Sequence, residues 1–407
     1  MKYVAGPYTQ GQLLKEIHEI EIALTNRFLR DGAITDPAEQ RSWRERVEDV
    51  SFGRNTVMYD DQGNPSVMVH VPVFLNQDVL AGGGEDAHLA FIVNGAYKSG
   101  IYISKYQNIT TGSGATLRAL SLKHVDPRTS ITFDDALLAC KQKGAGWHLM
   151  TNAEWAALAL RCKSRGFMPR GNNSYGKDYS VTSEKGIPGY FSSNRPARIL
   201  TGSGPLTWSD DGSPFGVFDL NGNVAEWVGG LRLMDGEIQV LANNNAADNT
   251  KDQSAASSEW KAILAADGSL VAPGTEGTLK IDNTTPGDET TTSHDVGGDP
   301  QLNTVVNNPM YIPGGQVDYG YSNTTFDALT VADGVTVPNI AKLLAIAPID
   351  TNHGGDFYYI RNYGERLPYR GGNWSSTSRA GVFYLDLVLG RSVSYGHAGG
   401  FRSAFVI

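Results

Sequence analysis

Apolar positions near the start recur at three- and four-residue intervals: Leu13, Leu14, Ile17, Ile20, Leu24 and Phe28 share one helical face, and Gly32 follows as a stop signal. A second helix opens at Asp36, which can cap, with Pro37 suited to the first helical position and Glu39 placed to complete a capping box. Its face carries Trp43, Val47 and Val50. Two such helices need a partner surface: either they pack as a hairpin on the body, or they serve docking or oligomerisation.

After Phe52 the period changes to two. "NTVMYDDQGNPSVMVHVPVF" reads as two strands around an Asp-Gln-Gly-Asn-Pro turn, and "HLAFIVNGAYKSGIYISKYQ" as two more around Asn94-Gly95 and Gly100. Thr132 with Asp135 opens a short helix that ends before Gly144, and Thr151 with Glu154 opens another that ends before Gly166. From Lys163 to Val240 the chain is rich in Gly, Ser and Asn, with Trp208, Phe215, Phe218 and Trp227 as anchors, which predicts long ordered loops. The reading is of an N-terminal helical segment, residues 1–52, followed by one α+β domain over 53–407.

Charge divides that domain. Between Asp235 and Asp350 stand sixteen Asp/Glu against four Lys and no Arg, a net of −12, while the whole chain carries −9 and the remainder therefore +3. Islands such as "SSEWKAIL" and "VPNIAKLLAIAPI" predict an acidic insertion, at about 235–350, that is partly structured. Composition excludes several classes. With 40% hydrophobic and 10% aromatic residues the chain folds. Its negative charge opposes nucleic-acid binding, and no run approaches the ~20 apolar residues of a membrane span. The opening "MKYVAGPYTQGQ" shows no secretory signal.

Catalytic chemistry finds few residues. Cys140 and Cys162 are too few for a disulfide framework or a zinc site. The histidines, at 18, 70, 88, 124, 148, 294, 353 and 397, are scattered, with no pair at metal-ligand spacing. His148, beside Trp147 and Leu149, reads as a structural imidazole.

Three separated motifs carry a resemblance. "WHLMTNAEWAALAL", "GVFDLNGNVAEWV" and "YRGGNW...GGFRSAFV" resemble, in order and spacing, the "LPTEAEWE" helix, the "DMxGNVWEW" loop and the closing "RGGSW...GFR" segment of the formylglycine-generating sulfatase-modifying family. The resemblance implies a C-type lectin fold: a small twisted antiparallel sheet, two helices, much irregular loop and adjacent termini. It assigns scaffold roles to Trp155, Asn221, Gly222, Asn223, Trp227, Arg370, Gly371, Gly372, Trp374, Phe401 and Arg402. In some relatives the central loop binds a structural calcium, for which Asn223 and Glu226 are the matching ligands; no other cofactor is implied. The family's enzymes use a cysteine pair in the C-terminal segment, and here no cysteine follows Cys162, so the expectation is a protein that is not an enzyme.

The closing segment, about 370–407, is also similar to the variable region of proteins diversified by retroelements, in which an error-prone reverse transcriptase randomises adenines. On that resemblance Ser375, Ser376, Arg379, Tyr384, Asp386, Val388, Leu389, Val393, Tyr395 and His397 form the variable, ligand-binding set. Randomising an asparagine codon yields Ser, Arg, Tyr, Asp, Val, Leu and His but never Lys, Glu, Gln, Met or Trp, and none of those five follows Trp374. Period two agrees: Phe383, Leu385 and Leu387 alternate with Tyr384, Asp386 and Val388, and Ser392, Ser394 and Gly396 with Val393, Tyr395 and His397. The resemblance implies a binder of variable protein or cell-surface ligands, attached to a phage virion or bacterial surface or to copies of itself. The alternatives are a fixed lectin-like domain and an oxidase-type enzyme.

Overall fold

The computed structural model describes residues 10–286, 297–310 and 321–407. Two helices open it, α1 at Gln10–Asp31 and α2 at Pro37–Ser51. Ile17, Ile20 and Leu24 of α1 and Val47 of α2 are buried against Val57, Val67, Tyr106, Phe215 and Phe218, so the hairpin packs on the body. Asp36 caps α2 by accepting from the Ala38 N–H at 3.0 Å. Glu39 does not complete the expected box. It turns to Arg27 of α1 at 2.9 Å, where donor and acceptor are both charged. Beneath the hairpin Glu21 is fully buried and accepts from Lys105 Nζ at 2.7 Å and from the Tyr106 hydroxyl at 2.6 Å.

Three of the four strands read from period two join an antiparallel sheet of five, in the spatial order Asn55–Tyr59, Pro65–Pro72, Gly100–Ser104, Ser403–Phe405, Trp147–Leu149. The stretch before Asn94 instead forms a 3-10 turn, Leu89–Phe91, and a two-residue strand, Ile92–Val93, paired only with Ala96–Tyr97. The C-terminal strand thus lies inside the N-terminal sheet of five. Two helices flank that sheet: α3, Phe133–Lys141, capped by Thr132, and α4, Asn152–Ser164, whose Thr151/Glu154 box is complete. This is the mixed α+β architecture of a C-type lectin fold.

More sheet is present than the small one expected. A mixed sheet of six strands runs Ser322–Thr325, Phe357–Ile360, Gly381–Leu387, Tyr369–Gly371, Ala225–Trp227, Gly399–Phe401. The acidic segment supplies most of a third sheet, including Glu237–Val240, Lys280–Asn283 and Pro300–Asn303. Its Ile281, Leu302, Phe326 and Leu343 share one core with Trp155 and Leu158 of α4 and with Phe383 and Leu385. The insertion is therefore built into the body. Its strands are two to four residues long, too short for a period to show in the sequence.

Just beyond α3, Lys143 is 1% exposed; its Nζ donates to Ser66 Oγ at 2.8 Å and Ser403 Oγ at 3.3 Å and lies 3.6 Å from the Trp147 ring centroid. Burial pushes its pKa down to about 7. An unfolded lysine titrates near 10.4, so above pH ~7 the unfolded chain binds more protons and stability rises with pH until about 10.4. Lys143→Met is expected to flatten part of that rise. Urea midpoints of both proteins at neutral and alkaline pH measure it, and parallel curves would refute the assignment.

Candidate functional site

The central loop is a hydrogen-bonded cradle. Gly222 sits at φ +78°, where an added Cβ would lie 2.2 Å from the Asn172 carbonyl oxygen. Asn221 donates to the Pro169 carbonyl at 2.9 Å and accepts from Asn173 Nδ2 at 3.1 Å. Trp227 pins the loop, its ring stacked 3.6 Å from that of Tyr369 and its Nε1 donating to the Ile131 carbonyl at 3.1 Å.

The expected calcium ligands do not fit a calcium ion. Both Glu226 oxygens accept from the Arg402 guanidinium at 2.6 Å, and Oε1 also accepts from Gln107 Nε2 at 3.0 Å. Asn223 Oδ1 accepts from Asn172 Nδ2 at 3.0 Å and the Ile199 N–H at 2.9 Å. A fixed guanidinium takes the place a metal would need. Among the described residues no group of three His, Cys, Asp or Glu converges as a metal site, and His294 lies outside them.

The cradle positions the closing segment. The Gly222 N–H donates to the Gly371 carbonyl at 2.9 Å, Trp374 N–H to Asn223 at 3.1 Å and Thr377 N–H to Asn173 at 2.8 Å. Gly371 and Gly372 take φ +85° and +70°, and Trp155 Nε1 donates to the Val382 carbonyl at 2.7 Å. Arg370, fully buried, grips Asn152 Oδ1 through Nε at 3.0 Å and Nη2 at 2.6 Å, while Phe401 is buried with Trp227 and Tyr369. The assigned scaffold residues, Trp374 excepted at half-burial, are interior.

Against this frame lies a cleft of about 580 Å³. Eight of the ten variable candidates line it: Ser375, Ser376, Arg379, Tyr384, Asp386, Val388, Leu389 and Tyr395. The alternation along Gly381–Leu387 is as read, with Phe383, Leu385 and Leu387 in the main core and Tyr384 and Val388 in a separate cluster with Tyr359. The second face is less open than expected. Tyr384, Asp386 and Val388 are only 3%, 4% and 8% exposed, because Phe357–Ile360 pairs alongside and brings Tyr359 over them.

A second correction concerns Ser392 to His397, read as alternating with period two. Gly390 and Gly396 break the chain here into a turn and a short 3-10 helix, Gly396–Ala398. Val393 and His397 consequently lie outside the cleft. Val393 is 44% exposed, and His397 stacks on Tyr190 at 5.3 Å while its carbonyl accepts from Arg198 Nη1 at 2.9 Å.

The opposite wall was not foreseen. Tyr321, Tyr359 and Arg361 line the cleft, and the tyrosine run in "DFYYIRNY", immediately before the closing motif, was the available signal. Asp386 lies at the base, accepting from the Tyr384 hydroxyl at 3.1 Å and the Val388 N–H at 3.0 Å. Burial, opposed by those bonds, raises its pKa to about 6. Cys140 and Cys162 are buried on α3 and α4, where desolvation raises both thiols. His148 bonds Glu154 Oε1 at 2.8 Å.

Comparison with known proteins gives three findings. The family described as sulfatase-modifying factor enzyme 1-like domain matches residues 52–255. No curated protein matches the chain. Of solved structures, PvdO from Pseudomonas aeruginosa is 16% identical with a TM-score of 0.33, covering 86% of this chain and 98% of its own. The Major Tropism Determinant P3c variant is 13% identical with a TM-score of 0.25, over 84% of this chain and 63% of its own.

Proposed function

The chain belongs to the sulfatase-modifying factor enzyme 1-like family, and from that premise we propose that it is a non-catalytic ligand-binding protein whose binding site is the cleft of the closing segment. The observation that carries the reading is the convergence of eight variable candidates on one cleft held by a rigid frame. Tyr and Arg supply much of the energy at protein interfaces, and Ser adapts at little entropic cost. The absence of cysteine after Cys162, and the burial of both thiols, supports a binding rather than an oxidase role.

We further propose that a retroelement diversifies the segment. Position supports this at the rim: Ser375 and Arg379 are exposed on a segment whose backbone is fixed by Gly371, Gly372 and the central loop, so side chains there vary without displacing the frame. Such a binder would act at a phage or bacterial surface. Among the described residues no helix is long and apolar enough to cross a membrane.

Two experiments test the reading. Sequencing the 3′ end of the gene across a population is expected to show substitutions at adenine-derived codons of the variable set, beside a template copy; a uniform segment would favour a fixed lectin-like domain. With a selected ligand, Tyr395→Ala and Arg379→Ala are each expected to cost about 1 to 3 kcal/mol of binding. Tyr384 is truncated conservatively, to Phe, since it is buried. Unchanged affinity in all three would place the site elsewhere.

A further inference from the structure

Buried carboxylates in proteins are ordinarily paired. Asp386, 4% exposed, makes hydrogen bonds but no ion pair among the described residues. It faces a cleft walled by four phenol rings, those of Tyr321, Tyr359, Tyr384 and Tyr395. Tyr359 joins two of them, its centroid 5.4 Å from Tyr321 and 5.6 Å from Tyr384. Aromatic faces attract cations, most strongly where water is excluded. Beside the rim the Arg379 guanidinium lies 5.0 Å from the centroid of the Phe357 ring.

Resting on the ligand-binding reading above, we propose that the cleft recognises a basic side chain of a protein partner, a lysine ammonium or arginine guanidinium, seated among the tyrosines with Asp386 as its counter-ion. The strand that follows Tyr321, Ser322–Thr325, belongs to the segment of net charge −12. Two arginines also line the cleft. Both have protein partners: Arg361 Nη1 donates to the Val388 carbonyl at 3.5 Å and Arg379 Nη1 to the Tyr359 hydroxyl at 3.3 Å. Asp386 is the only carboxylate among the described lining residues, and the Arg361 charge acts on it without forming an ion pair.

Ionised Asp386 is the binding form. Burial raises its pKa to about 6 against the Val388 N–H, the Tyr384 hydroxyl and the Arg361 charge, which all lower it. Burial also pushes Tyr359 up to about 12 and raises Tyr384 and Tyr395. The other charged groups lining the cleft are Arg361 and Arg379, and no histidine is among the described lining residues, so affinity for a cation falls as pH falls through about 6.

The test titrates the full chain with five probes, Nα-acetyl-lysine methylamide, Nα-acetyl-arginine methylamide, tetramethylammonium, acetate and methyl glucoside, following tyrosine ring signals by NMR. The two basic amides are expected to shift the cleft tyrosines, with affinity falling about tenfold in Asp386→Asn and on acidification from pH 7.5 to 5. The isosteric Asn variant keeps an acceptor for the Val388 N–H, and the wild-type pH series is an independent check. Equal affinity in the variant overturns the counter-ion. Preference for tetramethylammonium overturns the protein side chain in favour of a quaternary headgroup. Preference for acetate or glucoside keeps the cleft as a binding site and overturns its cation chemistry. Silence from all five probes overturns both this inference and the cleft itself.

Discussion

Arg402→Met is expected to lower folding stability by about 3–5 kcal/mol, because it removes one partner of a buried ion pair and strands the other. Arg402 is fully buried and Glu226 is 1% exposed, so water cannot replace the lost charge. The guanidinium also donates to the Ser104 and Phe218 carbonyls, both at 3.0 Å, and these lose a donor as well. Glu226 would retain only the bond from Gln107 at 3.0 Å. Pairing Arg402→Met with Glu226→Leu should recover most of the loss, since removing both charges removes the desolvation cost with the attraction. Urea midpoints at unchanged slope measure both variants. A single variant as stable as the wild type would show that the carboxylate had found another partner.

Gly222→Ala is expected to cost about 3 kcal/mol, summing the left-handed backbone penalty of roughly 1–2 kcal/mol and an overpacking term of similar size. The new methyl would meet backbone, 2.2 Å from the Asn172 oxygen and 2.6 Å from its carbonyl carbon, and backbone does not swing aside like a side chain. The loss should reach the cleft. Asn172 and Asn173 hold the loop through the Asn223 N–H and the Thr377 N–H, so moving them loosens the rim at Ser375–Thr377. Ligand affinity should therefore fall even under conditions where the variant is folded. Full affinity in the folded variant would separate the central loop from the binding site.

Local chemistry made part of this molecule legible. Thr151 and Glu154 cap a helix with bonds that a span of four residues suffices to specify, and the alternation from Phe383 to Val388 follows from strand geometry alone. What failed depends on distant chain. The burial of Tyr384 and Asp386 comes from Phe357–Ile360, whose placement nothing in the closing segment records. Asn223 and Glu226 matched a ligand pattern, yet Arg402, far along the chain, supplies the charge a metal would have carried. At Val393 and His397 the period was read across glycines that end a strand, and turn chemistry prevailed.

The place of Ser403–Phe405, between Gly100–Ser104 and Trp147–Leu149, bears on how the chain is made. A ribosome delivers that strand after the other four of its sheet, so the first sheet stays divided until synthesis has passed it, and the apolar faces of its neighbours remain uncovered until then. The segment proposed to vary is translated just before this closing strand. A frameshift or stop codon introduced there would leave the sheet open, and the product would be a substrate for proteases rather than a defective binder. Errors that preserve the reading frame alone would reach the surface as folded protein.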